Sequence, residues 1–302
     1  MKNINFPSKQ KIYQCIKQYT LRNISNDDQE IKNFIKSQLK FWTLYKYKFI
    51  LKKLIYGSLK TITIVDKEYT QVWSSDYYPG NALLNRKYFV SWNEKISEVY
   101  GWAEKRVHLL IISEILKNFK IKNFLEVGCG NGAMLMMLST LHPNINFYGT
   151  ELTLAGIKSA KKLQKLKNLP KAMIEFIPDK IKDPYAFKKI KFVQGNAINL
   201  PYENKKFDFV GTSLALEQMK PIQDDALKEI ARVSKDYVGM LEPFPDFNQT
   251  KLQKTYTTAR DYFSVPICEL SKFGFEVIEI FSDFPSKIYR GAGFVLLKKS
   301  KS

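Results

Sequence analysis

Glu126, Gly128, Gly130 and Gly132 alternate through "FLEVGCGNGA", and Glu151 closes the later apolar run "FYGTE". An apolar run, three alternating glycines and then a helical pattern describe a strand, a tight turn and a helix start. Glycine permits that turn, and it lets a ligand approach the backbone with no Cβ in the way. A carboxylate such as Glu151 at the end of the next strand offers its oxygens to both hydroxyls of a ribose. The chemistry in prospect is recognition of a nucleoside by the turn Gly128-Cys129-Gly130-Asn131-Gly132. Two other readings stand beside it. Gly128, Gly130 and Ala133 also satisfy the dinucleotide fingerprint G-x-G-x-x-G/A, and small residues can simply pack a helix on a strand. Glu126 tilts the balance, because a carboxylate there would repel a pyrophosphate and suits a ligand with a cationic amino group.

A third segment, "VQGNAINLPYENKKFDFVGTSLALEQM" from Val193 to Met219, narrows the choice. With it the chain resembles the class I S-adenosylmethionine-dependent methyltransferases. Their usual form of this region is a Gly-Asp-Ala turn, a Leu-Pro-Phe step, a Phe-Asp-x-Val strand and a Leu-Glu-His ending. The resemblance spans roughly Arg106 to Leu297. It implies S-adenosyl-L-methionine as cofactor, methyl transfer as the reaction and no metal. It further implies that Glu126, Gly128, Cys129, Gly130 and Gly132 surround the methionine part, with Glu126 reaching the amino group. Glu151 would hold the ribose and Leu152 would pack on the adenine, with Leu214 counted among the same contacts. The family's adenine-binding Asp is replaced by Asn196, whose side-chain oxygen still accepts, and the Ala197 N–H would meet a ring nitrogen. Gln218 stands where the family often has His, so histidine-based proton transfer has no group there. Asp208 reads as a strand-end carboxylate satisfied by neighbouring backbone.

Transfer from a sulfonium is an in-line displacement with an activated leaving group, so alignment supplies most of what catalysis needs. The two histidines, His108 and His142, read as structural. Glu217, Gln218 and Glu242 follow the fourth and fifth core strands, at the edge where an acceptor should enter, and are expected as acceptor contacts. No general base is identified. The Asn/Asp-Pro-Pro-aromatic motif of nucleobase amino-methyltransferases is missing from "GTSLALEQM", which favours a small-molecule, sugar, glycan or lipid-linked acceptor. The alternatives are an RNA or protein methyltransferase using the lysine-rich surface, a non-catalytic cofactor-binding partner subunit, and an NAD-dependent oxidoreductase.

These residues need a sheet to carry them. Strands are expected at Asn123–Val127, Asn146–Thr150, Lys191–Gln194, Phe207–Thr212, Tyr237–Leu241, Phe275–Phe281 and Gly293–Leu297, with helices at Ala133–Leu141, Leu154–Lys167 and Ile222–Ser234. That rhythm is an α/β, doubly wound, Rossmann-like and mostly parallel seven-stranded sheet. A helix over Ala103–Asn118 should pack on the sheet edge. Residues 103–302 form the cofactor-binding domain, with a proline-broken insertion near 169–190. Residues 1–102 lack the strand rhythm and are expected as an N-terminal helical extension or lid that includes the aromatic stretch "DYYPGNALLNRKYFVSWNEKISEVYGW".

The chain has 302 residues and a formal charge of +19, but only six of its 48 basic residues are Arg. Nucleic-acid readout leans on the Arg fork, so the excess of Lys reads as compositional before it reads as a nucleic-acid footprint. Three scattered cysteines suggest neither a disulfide framework nor a zinc site. The expected compartment is cytoplasmic, with peripheral membrane contact a second option. The segment "FWTLYKYKFILKKLIYGSLK" raises that option: Leu44, Ile50, Leu51, Leu54 and Ile55 share one side of a helix, and Lys46, Lys48, Lys52 and Lys53 share the other with Trp42, Tyr45, Phe49 and Tyr56. The reading preferred from sequence is a buried helix whose lysines snorkel past aromatic neighbours.

Overall fold

Alternating polar and apolar residues before position 100 build a small sheet that the sequence rhythm did not announce. A computed structural model describes residues 4–56, 61–74 and 86–300. Helix α1 (Lys9–Lys17) starts where the Ser8 hydroxyl accepts from the Lys11 N–H at 3.3 Å. Strand β1 (Thr20–Ile24), the long helix α2 (Gln29–Tyr56), helix α3 (Ile62–Trp73) and the hairpin β2 (Lys87–Trp92) and β3 (Lys95–Tyr100) complete the extension. The hairpin turns at Asn93 and Glu94, both at positive φ. Asn is usual at the first position of such a turn and Gly at the second, so Glu94 concealed the hairpin in the sequence. The extension is helical, as expected, and adds the strands β1, β2 and β3 that its sequence did not announce. Residues 75–85, part of the aromatic stretch, and residues 57–60 of the basic aromatic segment lie outside the described residues.

A second correction concerns α2. Its aromatic side packs on a later helix, where Trp42 meets Tyr256 with ring centroids 4.6 Å apart. The aliphatic side is left in solvent, with Leu51 and Leu54 exposed at 61% and 81%. Rings that interlock bury more surface than aliphatic tips, so Trp42 is turned inward, while Tyr45 on the same side stays 41% exposed.

From α4 (Trp102–Lys117) onward the strands and helices alternate as expected: β4 (Asn123–Val127), α5 (Ala133–Leu141), β5 (Asn146–Glu151), α6 (Leu154–Gln164), α7 (Lys171–Phe176), β6 (Lys191–Gln194), β7 (Phe207–Ser213), α8 (Gln223–Val233), β8 (Ser234–Glu242), α9 (Lys251–Ala259), β9 (Phe275–Phe281), β10 (Ser286–Lys287) and β11 (Gly293–Lys299). The large sheet runs β6-β5-β4-β7-β8-β11-β9, parallel except for β11, which is antiparallel to both neighbours. The small sheet runs β1-β3-β2-β10 and is antiparallel, so two residues of the C-terminal half close the sheet of the extension. The proline-broken insertion holds α7 and a short 3-10 turn at Ala186–Lys189.

Each parallel strand is apolar on both sides because both faces of the sheet are covered. Phe124 and Phe209 face the layer of α4, α5 and α6, while Leu125, Val127 and Val210 face that of α8. Helix α4 is sandwiched within the first layer, with Val107, Leu109, Ile111 and Ile115 all fully buried, not laid against an edge. Asp208 accepts from the Lys122 and Asn123 N–H groups at 2.9 Å each, the structural role expected of it. His142 is buried and shares a 2.9 Å hydrogen bond with the Ser113 hydroxyl, tying the end of α5 to α4.

Phe124 stacks on Phe209 with centroids 5.6 Å apart and is 1% exposed. Phe124→Ala should lower unfolding free energy by about 3–5 kcal/mol, read from urea denaturation. A loss below about 1 kcal/mol would mean that the sheet does not depend on this layer.

Candidate functional site

The chain reverses its direction of growth across the sheet at β4, with β5 on one side and β7 on the other, and the crevice outside their carboxyl ends is the natural ligand site. A cavity of about 480 Å³ lies there. Its floor is built from strand ends. The end of β4 and the turn after it contribute Glu126, Gly128, Cys129 and Gly130, the end of β5 contributes Glu151 with Leu152 next to it, β6 is followed by Asn196 and Ala197, and β7 by Leu214, Glu217 and Gln218. Eleven of the thirteen residues expected from sequence meet in this one space.

Gly128, Gly130 and Gly132 all have positive φ, which the turn requires. A Cβ on Gly130 would strike the indole of Trp73, the last residue of α3. Gly132 does not line the cavity. A Cβ there would strike the Phe192 ring, so this glycine lets α5 sit against β6. Glu242 also stays out of the cavity. It is fully buried and accepts from the Ala215, Leu216 and Glu217 N–H groups at 3.0, 3.2 and 3.3 Å. Its work is to shape the turn that presents Glu217, which corrects its assignment as an acceptor contact. Burial, then the neighbouring charge of Glu217, push its carboxyl up to about 7.

The floor acids differ in how they are answered. Glu151 accepts from the Thr153 N–H and hydroxyl through Oε1, at 3.0 and 2.9 Å, and from the Gly130 N–H through Oε2 at 3.1 Å. Three of its roughly four lone-pair directions are in use, so it fixes the glycine turn and keeps one direction for a ligand. Glu126 is different: its Oε2 is buried and has no hydrogen-bond partner among the described residues. Burial pushes its carboxyl up to about 8, against the opposing pull of Lys105. A cation set beside that oxygen would restore the carboxylate. The donor set therefore fits a ligand that brings a positive amino group to Glu126 and hydroxyls to Glu151. Asn196 Oδ1 accepts from the Ile198 N–H at 3.2 Å, which orients the amide. Leu214, at φ 54°, holds a backbone form that a side chain of its size rarely adopts, at the lip of the cavity.

The walls and roof were missed in the sequence. Helix α3 lays Ile62, Val65, Tyr69, Val72 and Trp73 over the cavity. Their spacing of three and four residues was a legible signal of an amphipathic helix. Glu104 and Lys105 of α4, together with Lys287, Arg290 and Arg260, line the far side. Arg290 donates to Glu104 at 2.8 Å and to Glu217 at 2.9 Å, and Lys287 lies 3.0 Å from Glu104. Burial opposes ionisation of Glu104, yet Arg290 and Lys287 outweigh it and hold the carboxyl well below its usual range. Glu217 in turn accepts from the Gln218 amide at 3.0 Å. Residues 186 positions apart in sequence meet here, so no local pattern could have paired them. His108 lies outside the cavity, fully buried, edge-on to Phe284 at 6.1 Å, and burial drives its imidazole down to about 3.

Residues 125–237 match the family described as "Methyltransferase domain". The chain is 36% identical over 152 residues to the phthiotriol/phenolphthiotriol dimycocerosates methyltransferase of Mycobacterium tuberculosis, covering 50% of this chain and 46% of that protein. It is 29% identical over 148 residues to the demethylmenaquinone methyltransferase of Lactobacillus johnsonii, covering 47% and 50%. The chain thus spans about half the length of the curated relatives it matches. Its fold is also that of the magnesium protoporphyrin IX methyltransferase of Synechocystis PCC 6803, crystallised with bound SAM, at a TM-score of 0.52 and 12% identity over 81% of this chain and 99% of that one.

Removing the guanidinium alone takes the shared cation from buried Glu104 and Glu217 and leaves Glu104 with Lys287 only. Arg290→Met should cost about 3–5 kcal/mol in urea unfolding, and adding Glu104→Gln and Glu217→Gln should restore more than half of it. Additive losses in the triple variant would refute the coupling.

Proposed function

We propose that this chain is a class I S-adenosylmethionine-dependent methyltransferase and that it transfers a methyl group to a lipid-linked or quinone-type small acceptor held beneath α3. The observation that carries the reading is the union of the β4 glycine turn, the buried Glu126 oxygen that has no partner among the described residues and Glu151 in one cavity. When bound, S-adenosyl-L-methionine supplies an electrophilic methyl group on a sulfonium with a neutral thioether leaving group.

In this reading Glu126 takes the amino group, Gly128, Cys129 and Gly130 border the methionine part, and Glu151 takes a ribose hydroxyl. Leu152, Asn196, Ala197 and Leu214 enclose the adenosine. Trp73 and the rest of α3 exclude water from the floor, which makes residues 1–102 a lid on the domain from 103 onward. The acceptor then lies between α3 and the Glu104, Arg290 and Glu217 group. Glu217 is the carboxylate nearest to a proton-accepting role, and Arg290 and Gln218 fix its orientation. Rate comes from holding the acceptor atom in line with the methyl group in a dry space.

Apolar side chains of α3 and α5 facing the cavity support a lipophilic acceptor. So do the named substrates of the relatives in Mycobacterium tuberculosis and Lactobacillus johnsonii, which are a dimycocerosate lipid and demethylmenaquinone. Label from the methyl-labelled donor should enter the organic-extractable pool of a cell extract incubated with the protein. Label confined to RNA or protein would overturn the acceptor class.

Two further outcomes test the cofactor site. Thermal denaturation should shift upward with S-adenosylhomocysteine and stay unmoved by NAD, and the reverse would sink the assignment. Because Glu126 must ionise from a carboxyl raised to about 8, affinity for S-adenosylhomocysteine should climb from pH 6 to pH 8 by up to about tenfold per unit. Glu126→Gln should flatten that slope and weaken binding. The sign for stability is opposite: the raised carboxyl stabilises the fold while neutral, in full below its ordinary range, and that contribution is lost as pH rises towards 8. An unchanged slope in the variant would remove Glu126 from the site.

A further inference from the structure

The aliphatic side of α2 is uncovered by any element among the described residues. Leu44, Tyr47, Leu51, Leu54 and Ile55 are exposed at 56%, 62%, 61%, 81% and 64%. At about 100° per residue they fall within roughly 100° of one another on the helix surface. The stripe from Leu44 to Ile55 is about 18 Å long at about 1.5 Å per residue. A run of that kind left in water marks a contact surface, since scattered single apolar residues would not share one face.

Charge identifies what covers it. From residue 31 to residue 65 the chain carries eight lysines and no Asp or Glu. Lys48 and Lys52 border one side of the stripe, and Lys40 stands one turn before Leu44. A second copy of the chain laid on this face would bring two such lysine sets together, which like-charge repulsion opposes. A surface of lipid phosphates answers both the stripe and the lysines. The opposite side of α2 is already taken, because Trp42 packs on Tyr256 and Lys53 lies 3.8 Å from Asp261. Asp261 adjoins Arg260, which lines the cavity, so this helix stands beside the acceptor side of the site. Among the described residues no helix is long and apolar enough to cross a membrane, so the contact lies in the plane of the surface.

We propose that α2 docks this protein on an anionic membrane surface, with Leu44, Tyr47, Leu51, Leu54 and Ile55 entering the headgroup boundary and Lys40, Lys48 and Lys52 meeting lipid phosphates. The docking stands apart from the methyl-transfer reading, and its test needs no turnover. The full chain is sedimented with vesicles of phosphatidylcholine alone and of phosphatidylcholine with phosphatidylglycerol. Binding should require the anionic lipid and fall by about fivefold for each lysine contact screened, as salt is raised from about 0.1 M to about 1 M. Leu51→Glu with Leu54→Glu should cut the bound fraction by at least about tenfold, and Lys48→Glu with Lys52→Glu by a similar factor at low salt. All four positions are exposed, so thermal melting of both variants should match that of the unchanged protein. Absence of binding to anionic vesicles would overturn the proposal, as would equal binding by the Leu51→Glu, Leu54→Glu variant. Self-association abolished by that variant, without vesicle binding, would assign the stripe to a second copy instead.

Discussion

Four carboxylates are withdrawn from water at the carboxyl edge of one sheet, and a buried charge must be answered or neutralised. Glu151 and Glu242 are answered by backbone N–H groups of the turns they organise. Glu217 is answered by the guanidinium of Arg290. Glu126 alone of the four has an oxygen that nothing among the described residues meets, and burial raises its carboxyl. The first three make the turns rigid. The fourth keeps a buried oxygen unanswered among the described residues.

That arrangement ties distant parts of the chain together. Arg290 reaches Glu217 after β7 and Glu104 at the start of α4, while β10, three residues before it, closes the sheet of the N-terminal extension. The extension is thereby anchored to the same charges that line the cavity, and α3 is laid over the glycine turn so closely that Gly130 has no room for a Cβ. The roof and floor of the site are thus parts of one structure. Helix α2 has a different relation to it. One side packs on α9, and the other presents leucines and lysines outward beside the site.

The strand and helix order of the parallel sheet was legible because strands covered on both faces must be apolar throughout, and the glycine turn marks where the first one ends. The expectations that failed were those depending on neighbours distant in sequence. Glu242 stands at the end of a strand, as Glu126 does, and cannot be told from it by position, yet three N–H groups from the turn after β7 claim it. Gly132 belongs to the same alternating series as Gly130, yet Phe192, 60 residues on, makes it a packing residue. The hairpin at Asn93 and Glu94 was hidden because Glu occupies a turn position where Gly is usual.

By itself the sequence determined the sheet, its crevice and the acids and glycines that floor it, since each of these follows from periodicity and local backbone freedom. Tertiary structure decided which acids remain available to a ligand, which helix covers them and which face of α2 meets water. Those outcomes depend on burial and on pairs such as Glu104 with Arg290, brought together only when the chain closes on itself.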